Sequence, residues 1–216
     1  LIEPKNHLIL ALDVIGLERA AKVAQATADY IDAIKIHWPV MLERGLHGVR
    51  GLAEIAPVIV DAKLSDIPST NRVACEIIYS CGASGVICQG FAGEDSVRAC
   101  VEAGGDVYVL IEMSHPGSLQ FISKHSRQMA AMAKKVGASG IVAPANRPEK
   151  LASYRKIVGP SMQILCPGVG VQGGNPGDAV ANGADFEIVG RAICGAEDPA
   201  RAAKEIAQAV SSRAAR

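Results

Sequence analysis

Short β-branched apolar runs alternate with longer, Ala-rich amphipathic stretches along the whole chain. The runs at 8–13, 33–38, 58–63, 85–89, 107–113, 140–144, 163–167 and 186–190 have strand length and few polar interruptions. A strand with one wet face alternates polar and apolar positions. Nearly continuous apolar runs instead mark strands buried on both faces, the usual state of a parallel sheet covered by helices. Between them, stretches 17–29, 68–81, 95–103, 124–136, 148–158, 176–182 and 199–210 have helical length and period. Asp198-Pro199 has the cap-then-proline order that opens a helix, and Gly137 and Gly159 stand where helices should stop. Trp38-Pro39 is expected to close the exit of the second strand, and the tail from Ser211 onward is expected to fray.

Eight strand–helix units without a break in composition predict an α/β fold, a (β/α)8 TIM barrel, with residues 1–216 as a single domain. An open doubly wound sheet is the alternative on pattern alone. In a barrel, the chemistry belongs at the C-terminal ends of the strands.

Composition narrows the function classes. At 216 residues the chain can bury roughly 70% of the surface its unfolded form exposes, enough for an unstapled core. The 22 Lys and Arg cancel the 22 Asp and Glu, and aromatics are only 4%, so neither charge nor a stacking platform points to nucleic acid. No apolar run approaches the roughly 20 residues of a membrane span, and residues 1–6 lack the layout of a secretory signal. The six cysteines (Cys75, Cys81, Cys88, Cys100, Cys166, Cys194) include no Cys-x-x-Cys pair, and several sit in apolar segments. Reduced, buried thiols in a cytoplasmic protein are expected, rather than a zinc site.

Charges stand where a barrel strand should be apolar. Asp13 ends the first run, Lys35 lies in the second, and the third ends in Asp61-Ala62-Lys63-Leu64-Ser65-Asp66. Residues two apart on a strand share a face, which places Asp61 beside Lys63. Asp66 lies beyond the strand end, free to turn back over the mouth or to reach another subunit. Buried charges are expensive unless paired, and here carboxylates are available to pair with Lys63. A structural ion-pair network is the competing explanation.

A second chemistry follows the last two strands. Pro167-Gly168-Val169-Gly170-Val171-Gln172-Gly173-Gly174 follows the seventh and Gly190-Arg191 the eighth. Glycines let backbone N–H groups approach an anion, an arginine grips phosphate oxygens in pairs, and this corner of the barrel is its usual phosphate seat. A phosphorylated small substrate is expected. The run from Gly168 to Gly173 also matches G-x-G-x-x-G, but it leads into Asn175-Pro176-Gly177 rather than a helix, so a dinucleotide site is rejected. Ser114, after the fifth strand, can donate to a substrate but lacks the setting of an activated nucleophile. His115 reads as a turn residue, and Gln89 ends the fourth strand.

Together these residues resemble the orotidine 5′-phosphate decarboxylase family, which completes UMP biosynthesis. The family motif D-x-K-x-x-D-I-P-x-T is matched at Asp61, Lys63, Asp66, Ile67, Pro68 and Thr70. Leu10-Ala11-Leu12-Asp13, Ile34-Lys35-Ile36, Met113-Ser114-His115-Pro116-Gly117 and Ile188-Val189-Gly190-Arg191 continue it, so the resemblance spans nearly the whole chain, with the short loops of the archaeal branch. It departs at Gln89, where members often carry His. The resemblance implies a cofactor-free and metal-free decarboxylase of a nucleotide. Asp13 and Lys35 would hold the ribose hydroxyls, Asp61 would lie against the substrate carboxylate, and Lys63 would protonate the ring carbon. Asp66 and Thr70 would enter the neighbouring subunit's site, making a homodimer, and Ile67 would contact substrate. Ser114 would bind the pyrimidine and Gln172, Gly190 and Arg191 the phosphate, with Pro167, Gly168, Val169 and Gly170 also in contact with substrate.

Two rivals differ in class. A magnesium-dependent sugar-phosphate lyase of the 3-hexulose-6-phosphate synthase type shares D-x-K-x-x-D, but its second strand carries an acidic metal ligand where this chain has Lys35. A non-catalytic phosphate-binding barrel needs the glycines and Arg191, but has no use for Asp61, Lys63 and Asp66 at this spacing.

Overall fold

In the computed structural model, which describes residues 1–170 and 174–214, parallel strands pair in chain order and the last closes on the first. The strands are β1 (Leu8–Ala11), β2 (Ala33–Ile36), β3 (Val58–Leu64), β4 (Gly85–Gln89), β5 (Asp106–Leu110), β6 (Gly140–Val142), β7 (Gln163–Pro167) and β8 (Phe186–Val189). The helices are α1 (Leu17–Thr27), α2 (Trp38–Arg44), α3 (His47–Ala53), α4 (Pro68–Ser80), α5 (Glu94–Glu102), α6 (Ile122–Lys135), α7 (Pro148–Val158), α8 (Asp178–Ala181), α9 (Arg191–Cys194) and α10 (Pro199–Ala214). The expected (β/α)8 barrel is the fold, and the open sheet is overturned by the β8–β1 pairing of Leu8 with Glu187 and Leu10 with Val189.

Two apolar layers explain the continuous runs. Ile9, Ile59, Ile87, Leu110, Leu165 and Ile188 point inward and pack with one another. Their chain neighbours Leu8, Val60, Val86, Val109, Ile164 and Val189 point outward and meet the helices. Period two therefore holds along each strand, hidden in the sequence because both faces are dry. Five of the six cysteines are buried in these layers, Cys81 is half-buried, and all six are free.

The N-terminal end of the barrel is plugged. Tyr108 donates to Gln163 Oε1 at 2.9 Å, and Gln163 Nε2 donates to the Ile2 carbonyl at 2.6 Å, with Ile2 packed into the inner layer. Gly140 makes room for this, since a Cβ there would lie 2.3 Å from the Gln163 carbonyl oxygen and 2.9 Å from the Tyr108 ring. With one end filled, the opposite end is left for a site.

Several boundaries differ from expectation. The second strand stops at Ile36; Trp38 and Pro39 occupy the first turn of α2, where proline is favoured because its missing N–H has no partner to lose. Helix α3 lies in a stretch that the periodicity does not mark as a helix, because Gly48 and Gly51 lower its helix propensity while buried Val49 and Leu52 supply the packing that forms it. The tail expected to fray from Ser211 is helical to Ala214, and Ser211 Oγ donates to the Asn6 carbonyl at 3.3 Å. Asp198 does cap α10, accepting from Arg201 N at 3.0 Å. Among the described residues no helix is long and apolar enough to cross a membrane.

Gly140→Ala is expected to destabilise the fold by about 1–3 kcal/mol through overpacking, read as a lower urea midpoint with an unchanged slope. An unchanged midpoint would contradict the close approach at Gln163.

Candidate active site

A cavity of about 270 Å³ opens at the C-terminal ends of the strands. Asp13, Lys35, Asp61 and Lys63 line one side, Ser114 and Met113 a second, and Pro167, Gly168, Val169, Gly190 and Arg191 the third. The floor is apolar, formed by Ala11, Ile87, Leu110, Val142 and Ile188.

The charged side depends on an irregularity in β3. Val60 pairs with Val86 and Leu64 with Cys88, so the three residues 61–63 lie opposite Ile87 alone. Within this bulge Lys63 adopts φ 48°, a left-handed conformation that costs a residue with a Cβ about 1–2 kcal/mol. Simple alternation predicts the shared face of Asp61 and Lys63; the bulge achieves it by folding the Lys63 side chain back, with Nζ 2.9 Å from both Asp61 oxygens. Lys35, one strand away, places Nζ 3.2 Å from Asp61 Oδ2 and 4.0 Å from Asp13 Oδ2. The result is an alternating row, Asp13–Lys35–Asp61–Lys63, with no net charge.

Lys35 and Asp61 are only 5% and 6% exposed. A contact at these distances gains about 5 kcal/mol at an effective dielectric of about 20, while each buried ion forfeits several kcal/mol of hydration. The row is therefore close to neutral for stability, and its value lies in holding Lys63 in one place. Burial pushes the Asp61 carboxyl up, but the ammonium groups of Lys35 and Lys63, the Lys63 hydrogen bond and nearby His37 together outweigh it and hold the carboxyl below its ordinary range.

The opposite side is built of backbone. Gly168 and Gly170 have φ 105° and 81°, conformations that favour glycine. Val169 bridges to Gly174, and Gly170 N donates to the Gly174 carbonyl at 2.7 Å. Gly190 eases the approach of β8 to β1 in another way: a Cβ there would sit 3.2 Å from both the Cβ and the carbonyl oxygen of Ala11, tighter than ordinary contact. This close β8–β1 contact brings exposed Arg191, at the start of α9, to the same mouth as Asp13. Gln172 lies outside the described residues.

Asp66, Ile67 and Thr70 are not drawn into the cavity. All three are exposed, and Asp66 Oδ1 accepts from its neighbour Ile67 N at 2.7 Å. Buried Asn71 and Ser96 hold this turn from behind: Asn71 Oδ1 accepts from Asp66 N at 3.2 Å, and Ser96 Oγ donates to the Asp66 carbonyl at 2.8 Å. Exposed Ile67, Val73 and Ile77 continue along the same segment.

Two parts of the site escape the sequence reading. Glu112, fully buried just past β5, receives Arg147 Nη1 at 2.5 Å and Lys150 Nζ at 2.6 Å, with Ser123 and Tyr154 as further donors. Burial pushes its carboxyl up, and the hydrogen bonds from Lys150, Ser123 and Tyr154 with the Lys150 charge more than reverse the shift. A carboxylate inside an apolar run is the signal that marks Asp61, and it marks Glu112 equally. His37, the cap of α2, directs Nδ1 to the Asp61 carbonyl oxygen at 2.5 Å. This bond fixes the peptide that enters the bulge; its partner is a backbone atom, so no motif announces it.

The sequence profile described as the orotidine 5′-phosphate decarboxylase / HUMPS family matches residues 6–206. The orotidine 5′-phosphate decarboxylase of Methanococcoides burtonii is 50% identical over 209 residues, covering 95% of this chain and 97% of that protein. That of Methanosarcina barkeri is 49% identical over 210 residues, covering 95% of each. Among solved structures, the orotidine 5′-phosphate decarboxylase from Pyrococcus horikoshii OT3 superposes with a TM-score of 0.90 at 42% identity, over 94% of this chain and 99% of that one. The enzyme from Methanocaldococcus jannaschii complexed with inhibitor BMP gives 0.89 at 37% identity, over 94% and 97%.

Because the Asp61 carboxyl titrates below its ordinary 3.8 in the folded chain, its ionisation adds stability at every pH above that value. This stability is lost as pH falls through the lower folded value. Asp61→Asn is expected to be less stable at neutral pH, with two ammonium groups left facing an amide, and to show a shallower loss in acid. Urea midpoints measured between about pH 2 and 7 check this, and parallel curves for the two proteins would contradict it.

Proposed function

The chain belongs to the orotidine 5′-phosphate decarboxylase / HUMPS family, and on that premise we propose that it converts orotidine 5′-phosphate to UMP and carbon dioxide as a cytoplasmic enzyme of pyrimidine biosynthesis. The observation that carries this reading is Lys63, aimed into the cavity and clamped by both oxygens of Asp61 across from a glycine- and arginine-built anion seat.

In this reading the phosphate lies between the Gly168–Gly170 turn and Gly190-Arg191. The ribose hydroxyls meet Asp13 and Lys35, the pyrimidine lies by Ser114, and the substrate carboxylate faces Asp61. As the carbon–carbon bond breaks, its electron pair stays on the ring carbon, in the ring plane, where no carbonyl or imine delocalises it. Lys63 stabilises that charge and then delivers a proton from Nζ to the same carbon. One charge contact at about 4 Å and an effective dielectric of about 20 is worth about 4 kcal/mol, or about 10³ in rate. Because the ammonium is held before reaction, little reorganisation is needed. The phosphate grip, distant from the reacting carbon, supplies binding energy that offsets crowding of the substrate carboxylate against Asp61.

We further propose a homodimer in which Asp66, Ile67 and Thr70 complete the partner's site. Their exposure supports this, together with the buried Asn71–Ser96 brace behind them and the apolar surface of Ile67, Val73 and Ile77 alongside. Against the magnesium lyase stands Lys35, whose ammonium already neutralises the carboxylate a divalent cation would need.

Loss of orotidine 5′-phosphate absorbance on incubation with the protein, equal with and without a chelator, is the expected result; no turnover by folded dimer would overturn the reading. Lys63→Ala is expected to lower kcat by at least about 10³ while retaining UMP binding. Mixing Lys63→Ala with Asp66→Ala is expected to restore about a quarter of wild-type activity, because half the dimers are then mixed and each has one intact site. No recovery after proven subunit exchange would count against sharing across the interface.

A further inference from the structure

Glu187 is fully buried on the outward face of β8, two residues before the outward-facing Val189. Among the described residues its carboxylate makes no ion pair, and Arg213, which packs on Gly177, is taken by Asp178. Instead it accepts backbone N–H groups. Oε2 binds Gly177 N at 2.8 Å, and Oε1 binds Ala179 N at 2.9 Å and Val180 N at 3.4 Å. Burial pushes the carboxyl up, and these three donors only partly reverse it. An aliphatic side chain would fill the same space without desolvating a charge, so what the carboxylate adds is its hold on those amides.

The position of those amides gives the hold its meaning. They lie where the segment after β7 returns to the barrel wall, three residues beyond Gly174, which closes the Gly168–Gly170 turn. Four residues after Glu187, the same strand delivers Arg191 to the mouth. One strand thus carries one side of the anion seat and ties down the return of the other.

We infer that Glu187 is a positioning residue for the phosphate grip, setting the spacing between the glycine turn after β7 and Gly190-Arg191. The inference rests on the reading of this seat as the one that takes the substrate's phosphate.

Two variants test it. Glu187→Gln keeps the shape and removes the charge; Glu187→Met keeps the volume and removes both the charge and the acceptors. Each is expected to raise KM for orotidine 5′-phosphate about tenfold with kcat changed less than about twofold. UMP affinity should fall by the same factor, and affinity for uridine, which lacks the phosphate, should change less than about twofold. A folded variant with unchanged KM, or with equal losses for UMP and uridine, overturns the inference. If neither variant folds, hydrogen exchange on the wild-type protein decides. Slowing of the Gly177, Ala179 and Val180 amides by UMP but not by uridine supports the inference, and equal or absent slowing overturns it. A wild-type protein that does not turn over orotidine 5′-phosphate fails the functional reading itself, a result distinct from either.

Discussion

The structure of the site turns on one carboxylate held between two ammonium groups. Asp61 meets Lys35 across the regular pairing of β2 with β3, and Lys63 from two residues further along its own strand, where β3 slips against β4. The bulge in β3, the left-handed backbone at Lys63 and the His37 bond to the Asp61 carbonyl are the local structure that lets all three charged groups converge. The left-handed backbone at Lys63 is unfavourable alone, and the His37 bond offsets part of its cost. A barrel closed on all sides over-determines the geometry and absorbs the strain, as expected where backbone outliers gather at a functional site.

The mouth is assembled from unlike materials. Strands β1 to β3 contribute side-chain charges, and the segments after β7 and β8 contribute glycine-rich backbone and one guanidinium. Closure of β8 on β1 makes these sectors neighbours, and Gly190 allows the approach. The third sector, after β5, is stiffened by buried Glu112 and its four donors, among them Arg147 and Lys150 at the start of α7. Buried carboxylates thus recur as braces. Asp61 orients a lysine, Glu112 ties the β5 exit to α7, and Glu187 ties α8 to β8. Asn71 and Ser96 hold the Asp66 turn in a similar way, without charge. Charge-assisted bonds suit this work because their direction is fixed and breaking one leaves an exposed penalty inside the protein.

Much of this was legible in the residue order. Eight apolar runs with helical spacers specify a parallel sheet covered by helices, because only a sheet covered on both faces tolerates strands apolar throughout, and the pairing of β8 with β1 decides for the closed barrel. Asp13, Lys35, Asp61 and Lys63 stand out because charges are costly at strand ends, and the glycines of 168–174 with Arg191 stand out as a cluster of permissive backbone and one cation after the last two strands. Glu112 and Glu187 carry the same signal, a carboxylate in an apolar run, and could have been found by applying it evenly. Tertiary structure alone decided the rest. The bulge that turns Lys63 back to Asp61, the bond from His37 to a carbonyl and helix α3 despite its glycines all depend on partners distant in the chain. Local sequence determines which faces are dry and which residues are expensive to bury; it does not determine where a backbone atom from another strand will stand to receive them.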